Sequence, residues 1–137
     1  MSTGYDFATF ETTDPGITTD ALDDYGLAPG RPVVERLLAV MRLPPLAKVS
    51  GITEHEAYGW AFDVHYDGAR IWCMLQRSDA WLLITVIRPS MVDRLRGLDF
   101  TGQHREVGGL LDAALRSTGI VEDLRWYSRP EFLARGR

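Results

Sequence analysis

The sequence predicts a small α+β domain. An antiparallel β-meander of three to four strands (about 46–88) packs with an N-terminal helix (33–43) and C-terminal helices (91–96, 105–117, 130–134). Three observations predict it. Residues 57–89 are rich in β-branched and aromatic side chains and are divided by the turn dipeptides Asp67-Gly68 and Ser78-Asp79; Asp-Gly between apolar runs is the strongest short hairpin signal. On either side of that block, apolar residues recur at helical spacing instead. The 137 residues are 45% hydrophobic and 25% charged, with a net charge of −4, which suits one self-sufficient core.

Residues 1–30 read as an acidic, turn-rich arm ahead of a single domain at 31–137. The arm carries Asp6, Glu11, Asp14, Asp20, Asp23 and Asp24 and no basic residue. Within it YDFATF fits a short edge strand, but the turn-rich TTDPGITTDALDDYGLAPG that follows favours a solvated segment. Arg31-Pro32 opens the first helix, because a proline near the first helical position lacks only an N–H that would go unused. Val33, Val34, Leu37, Leu38, Val40 and Met41 form its apolar face, and Pro44-Pro45 stops it. Residues 46–52 are the candidate fourth strand, ended by the polar TEHE.

The runs AYGWAFDVHY, ARIWCMLQR and AWLLITVIR make the meander. After Pro89, Ser90 with Asp93 is a capping-box start for a short helix that Gly97 ends. Val107, Leu110, Leu111, Ala114 and Leu115 define the face of the next helix. Gly108-Gly109 weakens it by about 1 kcal/mol per glycine and invites close approach of another backbone. VEDLRWY fits strand or helix, and Ser128 with Glu131 caps a terminal helix.

Within this frame FDVHYDGARIWC holds an Asp, a His and the sole Cys in twelve positions. A two-residue Asp67-Gly68 turn pairs His65 with Arg70, Asp63 with Trp72 and Phe62 with Cys73. Side chains alternate faces along a strand, so Cys73 and His65 lie on opposite sides of the sheet. A nucleophile and its base must meet within roughly 2.6–3.2 Å, and no catalytic dyad is expected. His55, His65 and His104 lack tight ligand spacing, so no metal site and no cofactor is expected either.

Carrying the register through a two-residue Ser78-Asp79 turn pairs Leu75 with Leu82, Cys73 with Ile84 and Trp72 with Thr85. Trp72, Met74, Trp81, Leu83 and Ile87 then share the second face. WLLITVI does not alternate, whereas a sheet wetted on one side should. If the helices all cover the other face, Trp72, Met74, Trp81 and Leu83 form an apolar partner-binding surface.

Two functions are therefore expected in order. The first is a non-catalytic interaction domain of the chaperone, immunity or adaptor kind, binding a protein partner or itself as a homodimer. The second is a small-molecule-binding domain or enzyme whose pocket uses Asp63, His65, Arg70 and Tyr66, with His65 as proton carrier. Past residue 24 there are fifteen basic against thirteen acidic residues, too slight an excess for a nucleic-acid footprint. No run reaches the ~18 apolar residues of a membrane span, no secretory leader is expected from MSTGYDFATFETTD, and one Cys fits a reducing compartment. A cytoplasmic location is the expectation, and fourteen Arg to one Lys points to a GC-rich bacterial genome.

Overall fold

In the computed structural model, residues 3–13, 30–55, 59–77 and 80–135 are described. The meander forms around β4 (Gly59–Tyr66) and β5 (Ala69–Arg77), joined by Asp67 and Gly68 at φ 46° and 83°, the left-handed pair that a type I′ turn requires. Their register is the expected one, from Tyr66 opposite Ala69 through Phe62 opposite Cys73. β6 (Trp81–Ile87) pairs with β5.

The class is α+β, but the sheet is larger than three or four strands. Among the described residues it has seven, in the order β2 (Ala47–Val49), β4, β5, β6, β1 (Phe7–Thr12) and β7 (Val121–Tyr127), with β3 (Thr53–His55) also on β4. The candidate strand at 46–52 is β2 alone, and β3 forms in the polar TEHE stretch expected to end it; both pair with β4. VEDLRWY resolves as strand β7.

β1 is an inner strand, between β6 and β7, and so neither edge nor solvated arm. Its acidic composition disguised it. Phe7, Ala8, Phe10 and Thr12 are buried, while Glu11 ion-pairs with Arg77. The rest of the expected arm, from residue 14 to 29, lies outside the described residues.

The helices are α1 (Arg31–Val40), α2 (Met91–Leu95), α3 (Thr101–Ser117) and α4 (Arg129–Arg135). α2 and α4 begin with the expected reciprocal caps, Ser90 with Asp93 and Ser128 with Glu131. Ser128 donates its backbone N–H to the Glu131 carboxylate and so holds that carboxyl below its usual range. Val33, Val34 and Leu37 of α1 join Val107, Leu111, Ala114 and Leu115 of α3 in one core cluster with Phe62, Ile71, Cys73 and Leu75. α4 packs on the opposite face, where Phe132 stacks on Phe7 at 4.3 Å.

The expected β5–β6 register is corrected by one residue. Arg77 pairs with Trp81, Leu75 with Leu83, Cys73 with Thr85 and Trp72 with Val86. Three residues therefore connect the strands, not two, and a one-residue slip moves every side chain to the other face. Trp81 and Leu83, each 0% exposed, belong to the helix-covered core. Leu82, Ile84 and Val86 take their place beside Trp72 and Met74. Because WLLITVI is apolar at both phases, hydrophobicity alone could not choose between the registers. The largest side chain settles in the core, where Trp81 donates its indole N–H to Thr12 (3.3 Å) and lies beneath the Arg77 guanidinium (5.4 Å).

Candidate functional site

The four residues expected to form a partner surface are thus divided between two faces. Trp81 and Leu83 face α1 and α3. On the other face Met74 is 7% exposed and Trp72 is half-buried under the Arg88 guanidinium, 4.8 Å from the ring.

The second expected set is divided in the same way. Asp63, His65 and Arg70 share a face, and Arg70 donates to Asp63 Oδ2 at 3.2 Å. Tyr66 points to the helix side, where its hydroxyl donates to Glu106 of α3; that bond raises the phenol's pKa. Among the described residues, Asp63 Oδ1 is buried without a hydrogen-bond partner. His65 is exposed at the edge of this group. A pocket between sheet and helices that uses all four residues is therefore not formed. Cys73 is fully buried opposite Phe62, and burial pushes its thiol pKa far up, the state of an inert core cysteine.

His104 is the residue whose environment departs furthest from expectation. α3 begins at Thr101, four residues earlier than the sequence suggested, which places His104 one turn before Val107 on the buried face. Thr85 gives its hydroxyl proton to the Tyr5 carbonyl, so its oxygen accepts from His104 Nε2 at 2.7 Å. Thr3 receives the Tyr5 backbone N–H and lies 2.8 Å from Nδ1, to which it donates. This chain of bonds assigns the neutral Nε2–H tautomer. It ties the N-terminal segment, β6 and α3 together.

Burial lowers the His104 pKa, and the charge of Asp6 offsets this in part. With the folded pKa below the unfolded value of about 6.5, the stability this sets is fully present above pH ~6.5 and is lost as pH falls through the folded pKa. Urea denaturation followed by circular dichroism is expected to give a lower midpoint at pH 5 than at pH 7.5, and His104→Gln a smaller difference between the two. An unchanged difference would assign the acid sensitivity to another group. Among the described residues no three His, Cys, Asp or Glu side chains gather as metal ligands, and no helix is long and apolar enough to cross a membrane.

A shallow groove of about 290 Å³ runs beside β1 and β7, bordered by Glu11, Asp123, Arg125, Tyr127 and Arg135. Its charges are mixed. The aromatic and arginine-rich C-terminal stretch docks Phe132 against Phe7 and Tyr127.

Among the described residues, the most exposed apolar surface lies elsewhere. Met91 (77%), Val92 (58%) and Leu95 (82%) of α2, with Leu98 (48%) just beyond it, point outward, and α2 buries no side chain at all. A capping box with both hydrogen bonds formed holds this turn in place of packing. The sequence carries the signal as MVDRLRGL, which reads equally well as a helix that covers the sheet. Compared with known protein families, curated proteins and solved structures, the chain matches none.

Proposed function

We propose that this chain is a non-catalytic interaction domain that binds a protein partner, or a second copy of itself, and that α2 is its contact surface. One observation carries the reading: four large apolar side chains, Met91, Val92, Leu95 and Leu98, stand 48–82% exposed on a turn that contributes nothing to the core. A folded chain gains no stability from such a stripe, and contiguous exposed apolar surface marks contact sites. The sheet face once expected in this role is a weaker candidate, since Met74 and Leu82 are 7% exposed.

The test compares the chain with Leu95→Asp, by light scattering after size exclusion and by quantitative capture from the source organism's extract. The expected result is a dimer, or a stoichiometric partner, that the variant loses while its melting temperature holds within a few degrees. A wild-type monomer whose captured set is identical to the variant's would end this reading.

A second reading, small-molecule binding at Asp63 and His65, is favoured by the buried, unpartnered Asp63 Oδ1 beside Arg70. A buried acceptor left unpaired costs about 1–3 kcal/mol, which a donor on a ligand would recover. A thermal-shift screen is expected to find a ligand whose stabilisation disappears in Asp63→Asn and weakens in His65→Ala. A ligand that stabilises both variants as well as the parent binds elsewhere.

A further inference from the structure

Resting on α2 as the contact surface, we infer that its occupant is an acidic segment of another protein that carries apolar side chains. The argument starts from the order of residues around the turn. At about 100° per residue, Met91, Leu95 and Val92 fall within one arc roughly 100° wide. Arg94 falls about 60° to one side of that arc and Arg96 about 40° to the other. The apolar stripe is therefore flanked by a guanidinium on each side. Arg88, at the entry to the turn, is exposed as well.

The one acid in this stretch, Asp93, falls on the far side of the wheel, and its carboxylate is engaged by the Ser90 backbone N–H. Arg94 and Arg96 are exposed, and among the described residues neither takes part in an ion pair. Asp99, next to Leu98, is exposed too, and its carboxylate accepts from Thr101; among the described residues the apolar centre of α2 thus has a positive border, with one carboxylate beyond it at the Leu98 end. Met and Arg are residue types enriched at protein interfaces.

That border discriminates among occupants. A second copy docked α2 to α2 about a two-fold axis would set Arg94 and Arg96 against their own counterparts, and like charges brought together cost affinity. A bilayer surface suits longer amphipathic helices, which bury an extended apolar face; the five residues of α2 offer one turn. A segment with Leu, Ile, Phe or Trp at its centre and Asp or Glu at its flanks satisfies both parts of the surface. Its rim carboxylates speed encounter and fix orientation, and its apolar side chains supply the burial.

The test uses the full chain as bait for phage-displayed random short peptides, with selected sequences remeasured as fluorescein-labelled peptides by anisotropy. Recovered peptides are expected to combine apolar centres with Asp or Glu flanks. Leu95→Asp should weaken them by about tenfold or more, and Arg94→Ala/Arg96→Ala should weaken them by about tenfold and flatten the salt dependence. None of these side chains is buried, so the variants remain folded, which circular dichroism verifies.

Peptides that bind through α2 but are neutral or basic would overturn the acidic assignment and leave the contact surface standing. Peptides indifferent to Leu95→Asp, or no recovered peptide, would overturn both. A concentration-dependent dimer abolished by Leu95→Asp would make the occupant a second copy. Cosedimentation with phosphatidylserine vesicles, lost in the arginine variant, would make it an anionic lipid surface. Either result overturns the inference.

Discussion

Leu83→Asp is expected to abolish the fold, whereas Trp72→Ala leaves it intact. Leu83 is 0% exposed on the face packed by α1 and α3. Removing a buried leucine costs about 2–5 kcal/mol, and a carboxylate left there without a partner adds several more. Against a total stability of about 5–15 kcal/mol, the sum leaves little or nothing. Trp72 is half-buried on the opposite face, with the Arg88 guanidinium over its ring. Losing that contact and part of an indole's burial costs about 1–3 kcal/mol. Far-ultraviolet circular dichroism with urea titration separates the two. A folded Leu83→Asp protein would mean that β6 sits one residue out of the register described here.

Adjacent glycines in α3 are expected to respond with opposite signs. A Cβ on Gly108 would lie 2.2 Å from Tyr5 Cγ and 2.5 Å from Tyr5 Cβ. Tyr5 cannot swing aside freely, because its ring packs edge-on against Trp126 at 5.1 Å and its N–H and carbonyl bind Thr3 and Thr85. Gly108→Ala is therefore expected to lose about 1–3 kcal/mol by overpacking, even though alanine favours the helix. At Gly109 a Cβ meets nothing within 4 Å, and Gly109→Ala is expected to gain up to about 1 kcal/mol. Thermal melts of the two variants give the comparison directly, and shifts in the same direction would contradict the Tyr5 contact. The sequence marked both glycines for the close approach of a backbone. The structure uses one of them, and a side chain approaches it.

What was legible in the chain follows from where a local rule acted alone. Asp67-Gly68 determines its own turn geometry, so eight residue pairs from Gly59–Gln76 to Tyr66–Ala69 followed by counting. The caps at Ser90 and Ser128 are local in the same sense. The second register was not legible, because Ser78-Asp79 has no comparable preference and WLLITVI buries well in either phase. The inner position of β1 was not legible, because its partners, β6 and β7, lie far along the chain and its acidic neighbours suggested solvent. His104 was weighed only as a metal ligand. Its place on the buried face of α3 became visible once the helix was seen to start at Thr101. For the candidate site, the sequence reading placed its apolar contact surface on strands, whereas the proposed one lies on α2. An amphipathic stripe on one turn looks the same in sequence whether it faces inward or outward.

The inner position of β1 has a consequence for how the molecule comes into being. Phe7 pairs with Ile84 on one side and with Tyr127 on the other. During synthesis β1 leaves the ribosome long before either partner. The β4–β6 meander can close by short-range contacts as soon as it emerges, but among the described residues β7 has no neighbour in the sheet except β1. The first of the described strands thus waits for the last, and the sheet is completed by the longest-range strand pairing among the described residues. Such non-local pairing slows folding. It also leaves a nascent form with the β7-facing edge of β1 unpaired, the kind of surface on which molecular chaperones act.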